Sequence, residues 1–323
     1  MQNQTTLSDF TNYAYSGSCD KKAILELVKL RPIDRLQDYP GPADQQEVFS
    51  LPTSQASIRL WKTSDSRLAG YALSLKGQSF ASLAFEYLSE FANGNLGDEM
   101  VSWGEQSFRN NYQGQATELV TNIRADDQHR MRLLKRHAFR LLPERILKLA
   151  RLLAEPIPPP VLPPGFEIRP LAGDSQVAAW VAMHRAAFGT QNMTLEYRQA
   201  WMSVEDYDPQ LDLVALAPDG SLAAYVFASI HPEENSLCGQ KTGYTDPVGT
   251  HPLYRRRGLC RALLLTALQL LKNRGMEIAY LSTSSENIAV QRVAQSVGFR
   301  VVSGWDRYAK EFSKDEDEHF DVD

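Results

Sequence analysis

The chain has 323 residues, 43% hydrophobic and 23% charged, with 34 basic against 39 acidic side chains. That is enough for two domains of ordinary globular composition, and a net charge of -5 excludes a broadly basic, nucleic-acid-coating protein. The longest apolar stretch, Ala262 to Leu271, is about half a bilayer span and is interrupted by Thr266 and Gln269, so no membrane helix is expected.

The first ten residues carry neither a basic nor an apolar signal region. Cys19, Cys238 and Cys260 are odd in number and far apart, which gives neither a disulfide framework nor a metal-ligand spacing. His184 and His251 also lack partners at such a spacing and are expected to be structural, so no metal is assigned. These features predict a cytoplasmic chain with reduced thiols and neither a nucleic-acid nor a membrane partner. They do not specify an oligomeric state.

In the first half, Leu60-Trp61 and Leu68 to Tyr71 flank Asp65-Ser66 and predict a hairpin. Leu119 to Asn122 follows as a strand, then Asp127 as a helix cap, then Ala138-Phe139-Arg140. Residues 156–164 contain six prolines, which is incompatible with a helix or a central strand and reads as a stiff linker.

The second half continues with Phe166 to Arg169 as a strand and Asp174 to Ala187 as a helix. Leu211 to Leu216 and Leu222 to Ser229 form a hairpin around Pro218-Asp219-Gly220. Gly243 to Thr250 reads as one strand and Leu259 to Arg274 as a helix ended by Gly275. Ile278 to Thr283 is a strand, and Asn287 caps a helix to Val297 that Gly298 terminates. Arg300 to Val302 and Asp306 to Glu311 are expected as two last strands, and 313–323 as an acidic, disordered tail.

The two halves repeat. The hairpins align at an offset of 154 residues and the strand-cap-helix segments at 160, in the same order, which predicts a tandem duplication. The expected division is a first domain at 1–155, a linker at 156–165, a second domain at 166–312 and the tail.

The chemistry concentrates at Val248 to Leu263, where a strand runs through His251-Pro252 and Arg255-Arg256-Arg257-Gly258 straight into a helix. Such a turn aims unpaired backbone N–H groups and the positive end of the helix dipole outward, which suits a phosphate or pyrophosphate. Gly258 lets the anion approach the backbone, and the arginines add permanent charge. A thiol at Cys260 in the first turn is expected to have a lowered pKa, although its expected role is packing.

Arg255-x-x-Gly258-x-Cys260 resembles the acyl-CoA pyrophosphate motif of the GNAT acetyltransferase superfamily. Val248 to Pro252 before it, Leu259-x-x-Ala262-Leu263 after it, and Asn287 with Gly298-Phe299 further on are also similar to that family. The resemblance covers about Phe166 to Phe312. The duplicated layout resembles tandem-GNAT enzymes: an α/β fold of two GNAT-like domains, each a mixed, mostly antiparallel sheet flanked by helices.

The resemblance implies acetyl-CoA as co-substrate, lying in a V-shaped opening between the Gly243–Thr250 and Ile278–Thr283 strands. Backbone groups of Val248, Gly249 and Thr250 would hold the acetyl and pantetheine end. Those of Arg256, Arg257, Gly258, Leu259, Cys260 and Arg261 would cradle the pyrophosphate, with Arg255 opening the motif and Asn287 at the pantetheine arm. The reaction implied is direct acetyl transfer to an amine of a small molecule or peptide, with Asp246 as the base. The family's tyrosine four residues before Gly-Phe is replaced by Ala294, which leaves Tyr308, water or no specific group as the acid. A non-catalytic acyl-CoA-binding protein on the same fold is the alternative.

In the first half the corresponding turn is about Gly94 to Glu99. Asp98 and Glu99 there suit the helix dipole but repel a pyrophosphate. The first domain is therefore expected to bind no acyl-CoA and to shape the acceptor side, while Trp61, Phe85, Tyr87 and Trp103 chiefly pack its core.

Overall fold

Alternating apolar residues and short polar turns generate the sheets, and each helix places one apolar face on them. The structure is a computed structural model that describes residues 10–50, 57–77, 80–112 and 116–312. The acidic segment 313–323 lies outside the described residues. The chain forms two compact units, Met1–Pro143 with Asp306–Asp323, and Glu144–Trp305.

The first unit begins with β1 (Phe10–Ala14), α1 (Ser18–Lys29) and α2 (Pro42–Ser50). It continues with β2 (Ile58–Thr63), β3 (Leu68–Lys76), β4 (Phe80–Tyr87), α3 (Leu96–Tyr112), β5 (Glu118–Arg124) and α4 (Gln128–Arg136). Strands β1 to β4 pair antiparallel in sequence order, and β4 pairs parallel with β5. Trp61, Phe85 and Tyr87 are buried in the core under α3, and Trp103 packs against it, so these aromatics do hold the core. Asp127 caps α4 by accepting from Arg130 N at 3.0 Å.

The second unit takes in β6 (Arg140–Leu152) from Glu144 onward. It then has β7 (Glu167–Pro170), α5 (Val177–Phe188), α6 (Leu195–Ser203), β8 (Asp212–Leu216), β9 (Leu222–Phe227), α7 (Pro232–Cys238) and β10 (Thr242–Tyr244). It closes with β11 (Val248–Thr250), α8 (Leu259–Asn273), β12 (Ile278–Ser284), α9 (Ile288–Ser296) and β13 (Arg300–Glu311). One sheet runs β11-β9-β8-β7 and is antiparallel throughout. In the other, β12 pairs antiparallel with β6 and parallel with β10. The apolar face of α8, with Leu263, Leu264, Ala267 and Leu268 fully buried, joins both sheets in one core.

The order β2-β3-β4-α3-β5-α4-β6 matches β8-β9-(β10, β11)-α8-β12-α9-β13, as the duplication requires. The compact units are nevertheless cut elsewhere than at the prolines. Residues 144–152 sit in the second unit, and β13 from Asp306 onward sits in the first, next to β5. Residues 156–166 form neither helix nor strand.

Two other expectations change. The single strand at 243–250 is two strands, β10 and β11, in different sheets. Pro247 has no N–H to donate to a ladder, and the chain changes partner there: Thr245 N bonds Tyr280 O, whereas Pro247 O accepts from Phe227 N. The two expected last strands are one, because Gly304 lets the chain pass the Ile146 carbonyl, where a Cβ would come within 2.5 Å. The sequence reading also missed α6 and the short α7, which starts on Pro232 and ends at left-handed Gly239.

Candidate functional site

The opening in the second unit follows from the change of partner at Thr245 to Pro247. Tyr244 is the last residue of β10 aligned with β12, opposite Tyr280. Beyond it, Leu281 to Ser284 keep only β6 as a neighbour, while β11 forms the edge of the other sheet. Two strand edges therefore diverge, each with backbone groups that its own sheet does not use. Val248, Gly249 and Thr250 lie along one edge, opposite Val226, Tyr225 and Ala224 on their paired side.

At the far end of β11 the chain turns into α8. His251 Nδ1 accepts from Leu253 N, which accounts for this histidine structurally. Arg256 and Gly258 both take left-handed backbone, with φ of 61° and 81°. Consequently the backbone N–H groups of Arg256, Arg257, Gly258, Leu259, Cys260 and Arg261 find no acceptor among the described residues. Six consecutive unsatisfied donors around a helix N-terminus form a cradle for an anion. A Cβ on Gly258 would meet nothing within 4 Å, so the cradle is open.

The three arginines of the turn differ in their contacts. Arg255 braces the turn, donating to Ala187 O at 2.9 Å and to Thr250 O at 3.4 Å. Arg257 lies over the rings of Tyr254 and Phe166, which meet edge to face. Arg256 is exposed and has no partner among the described residues, so its guanidinium is available to a ligand. Cys260 departs from expectation: burial pushes its thiol up to about 12, because it packs against the core rather than projecting from the helix start.

Asn287 is exposed and caps α9, its Oδ1 accepting from Val290 N at 3.2 Å. Its amide N–H2 stays clear of that bond. Asp246 is half-buried in the connection between β10 and β11, with its Oδ1 shielded from solvent. Ala294 is fully buried.

Tyr308 is not brought to this site. It is 2% exposed in the core of the first unit, where burial and the charge of Asp306 raise its phenol pKa. β13 passes from the second unit into the first at Asp306, so Tyr308 packs in the first unit's core.

The sequence reading missed a polar cluster beside the opening. Glu234 of α7, 2% exposed, accepts from Tyr244 Oη at 2.5 Å. His231, just before α7, contacts Asp206 through Nδ1 at 3.1 Å and Ser229 Oγ through Nε2 at 3.0 Å. Its ring centre lies 5.7 Å from that of Tyr244. These residues are scattered over 206–244, and only the fold assembles them.

In the first unit the corresponding helix start, that of α3, carries acidic residues, Asp98 and Glu99, in its first turn. Asp98 stands in the first turn of α3, where Arg136 donates to it at 2.8 Å and His137 Nε2 contacts it at 3.0 Å. Burial raises the Asp98 pKa, but these two bonds outweigh that and hold it below the ordinary carboxylate range. The Asp98 carboxylate is thus engaged by the Arg136 and His137 side chains at the end of α4.

Residues 177–299 match the acetyltransferase (GNAT) family model. The match runs from the start of α5 to the residue before β13. A mycothiol acetyltransferase of Nocardiopsis dassonvillei is 31% identical over 160 residues, 48% of this chain and 47% of that protein. One from Kineococcus radiotolerans is 33% identical over 43% of this chain and 44% of its own length. The chain thus spans about half the length of the curated relatives it matches.

Two solved structures share nearly the whole fold. The GCN5-related N-acetyltransferase from Sphaerobacter thermophilus superposes with a TM-score of 0.70 at 23% identity, over 95% of this chain and 97% of that one. A tandem GNAT protein from the clavulanic acid biosynthesis pathway gives 0.69 at 12% identity, over 94% and 98%. The tandem GNAT architecture read from the sequence is therefore the observed fold. Among the described residues, no helix is long and apolar enough to cross a membrane.

Proposed function

We propose that the protein is an acetyl-CoA-dependent N-acetyltransferase that moves the acetyl group directly to an amine. The observation that carries this reading is the cradle of six free N–H groups at one end of the diverging edges of β11 and β12. An acyl-CoA has the matching form, a doubly charged pyrophosphate joined to an extended arm with hydrogen-bonding amides. Arg256 to Arg261 would hold the pyrophosphate, with Arg255 bracing the turn. The edge at Val248 to Thr250 and the Asn287 amide would hold the arm.

The thioester carbonyl gains negative charge as the amine adds, and an N–H of the β11 edge would stabilise it. No covalent enzyme intermediate is needed, in keeping with the buried, un-ionised Cys260 thiol. The named relatives are mycothiol acetyltransferases, which favours a small-molecule amine over a peptide as acceptor.

A second reading has one observation in its favour. Ala294 leaves the family's tyrosine hydroxyl missing, as in a protein that binds acyl-CoA without turnover.

The test is a thermal melt with and without acetyl-CoA on the wild type, Gly258→Glu and Gly258→Asn. Ligand at roughly 100 times its Kd adds about 2.7 kcal/mol, a shift of several degrees. Asparagine tolerates the left-handed backbone and should keep the shift, whereas the carboxylate of glutamate should remove it. No shift at saturating ligand rejects the reading. A shift without thiol release on any amine supports the binder.

A further inference from the structure

Acetyl transfer needs a group to take a proton from the acceptor, because an ammonium ion is not a nucleophile. Such a group must stand where an amine approaches the thioester, at the point where β10 leaves β12. That point is Tyr244, opposite Tyr280 and four residues upstream of Val248. Tyr244 is half-buried, and its hydroxyl proton points to the Glu234 carboxylate at 2.5 Å. With its hydrogen committed to Glu234, the phenolic oxygen can meet an incoming N–H only as an acceptor. Behind it, Glu234 is 2% exposed and sits in the first turn of α7.

We infer that Tyr244, backed by Glu234, relays the proton from the acceptor ammonium and is the catalytic base of this transferase. The inference rests on the acetyltransferase reading above. One ammonium proton passes to the Tyr244 oxygen as the phenolic proton passes to Glu234 Oε1. The freed amine attacks the thioester carbonyl, a C–N bond forms and the C–S bond breaks, and its electron pair leaves on sulfur. The second amine proton reaches that thiolate through solvent, and Glu234 returns its own proton to solvent.

Tyr244 touches the amine and is the catalytic residue, while Glu234 acts through it as a positioning residue and proton store. His231, fixed by Asp206, stands beside the Tyr244 ring, and Tyr280 stands 5.8 Å away on β12. Cys238 feels the charges of Glu234 and of Lys148, whose Nζ lies over the Tyr280 ring. Asp246 is the rival carboxylate, on the same segment but with Oδ1 shielded.

The experiment measures thiol release from acetyl-CoA with two amine probes, glucosamine and hydroxylamine, on wild type, Tyr244→Phe, Glu234→Gln and Asp246→Asn. Glucosamine is largely protonated at neutral pH and needs the base, whereas hydroxylamine is already unprotonated and does not. Tyr244→Phe and Glu234→Gln should each lose about a hundredfold in kcat/KM with glucosamine. They should lose under about tenfold with hydroxylamine and keep the acetyl-CoA melt shift. The rising limb of the glucosamine pH profile should move to higher pH in both.

Equal losses with both probes would make the pair merely structural and overturn the inference. A hundredfold, glucosamine-only loss in Asp246→Asn alone would assign the base to Asp246. A wild type that binds acetyl-CoA and turns over neither probe would overturn the relay, with the cofactor site left intact. A wild type that does not bind acetyl-CoA would reject the transferase reading itself.

Discussion

Gly249 and Tyr225 stand opposite each other on β11 and β9, so close that a Cβ on Gly249 would fall 2.6 Å from Tyr225 Cε1. Ala187 and the Phe188 ring close the same space at 3.2 Å. The glycine is what lets the edge strand of the opening lie flat on α5. Gly249→Ala should cost about 1–3 kcal/mol through overpacking and should push β11 toward the opening. Urea denaturation reads the first effect and acetyl-CoA titration the second. A variant with wild-type stability and affinity would contradict this account.

The three arginines of the turn should separate in their effects. Arg256→Glu should leave the ligand-free melting temperature within experimental error, since Arg256 has no partner among the described residues. It should weaken acetyl-CoA binding by about tenfold or more, the scale of one lost charge-assisted contact. Arg255→Ala should instead lower the ligand-free stability, because it frees the Ala187 and Thr250 carbonyls. Calorimetry on the two variants checks the division.

Asn287 offers a test of two roles at one position. Asn287→Ala should cost about 1 kcal/mol for the lost cap. Asn287→Asp should keep the cap, as Asp127 does for α4 in the first unit. The same change removes the amide N–H2 and adds a negative charge, so acetyl-CoA affinity should still fall. Unchanged affinity in Asn287→Asp would reduce Asn287 to a cap.

His184 should make the second unit acid-sensitive. Burial, and next the charge of Arg198, hold its pKa down at about 4, and its Nδ1 contacts Tyr225 Oη at 2.7 Å. In the unfolded chain it titrates near about 6.5. The unfolded state therefore binds the extra proton first, and stability falls as pH drops from about 6.5 toward 4. His184→Asn should flatten that part of the curve, as measured by denaturation at pH 7, 6 and 5.

His137 should behave in the opposite sense in the first unit. Its bonds to Glu105 and Asp98 raise its pKa. Its contribution is whole below the unfolded value and is lost as pH rises through the folded one. Asp98 and Glu105, both held below the ordinary range, withdraw theirs only under stronger acid. The stability gap between wild type and His137→Gln should therefore be widest near pH 6 and close toward pH 9.

What could be read from the chain was whatever lies within a few residues in sequence. The turn at Arg255 to Gly258 and the Asn287 cap depend on local backbone and appear as expected. The break at Pro247 was hidden because apolar residues continue on both sides, and only the sheets show that they have different partners. Tyr308 was offered as the acid because nothing local in the chain shows that its strand carries it into the core of the first unit. The Glu234–Tyr244 contact spans an inserted helix that has little apolar periodicity. Cys260 was misjudged because dipole and burial oppose each other there, and burial dominates.

Segment 144–152 serves the second unit, and 306–312 serves the first. A cut at the proline run would therefore not release two proteins from one gene. The leading fragment would carry away a strand it does not use and lack the one that lies beside β5. The trailing fragment would lose the neighbour of β12 and expose the edge beneath the opening. Each half of the chain thus supplies a strand to the unit that the other half builds, so neither half carries a complete unit by itself.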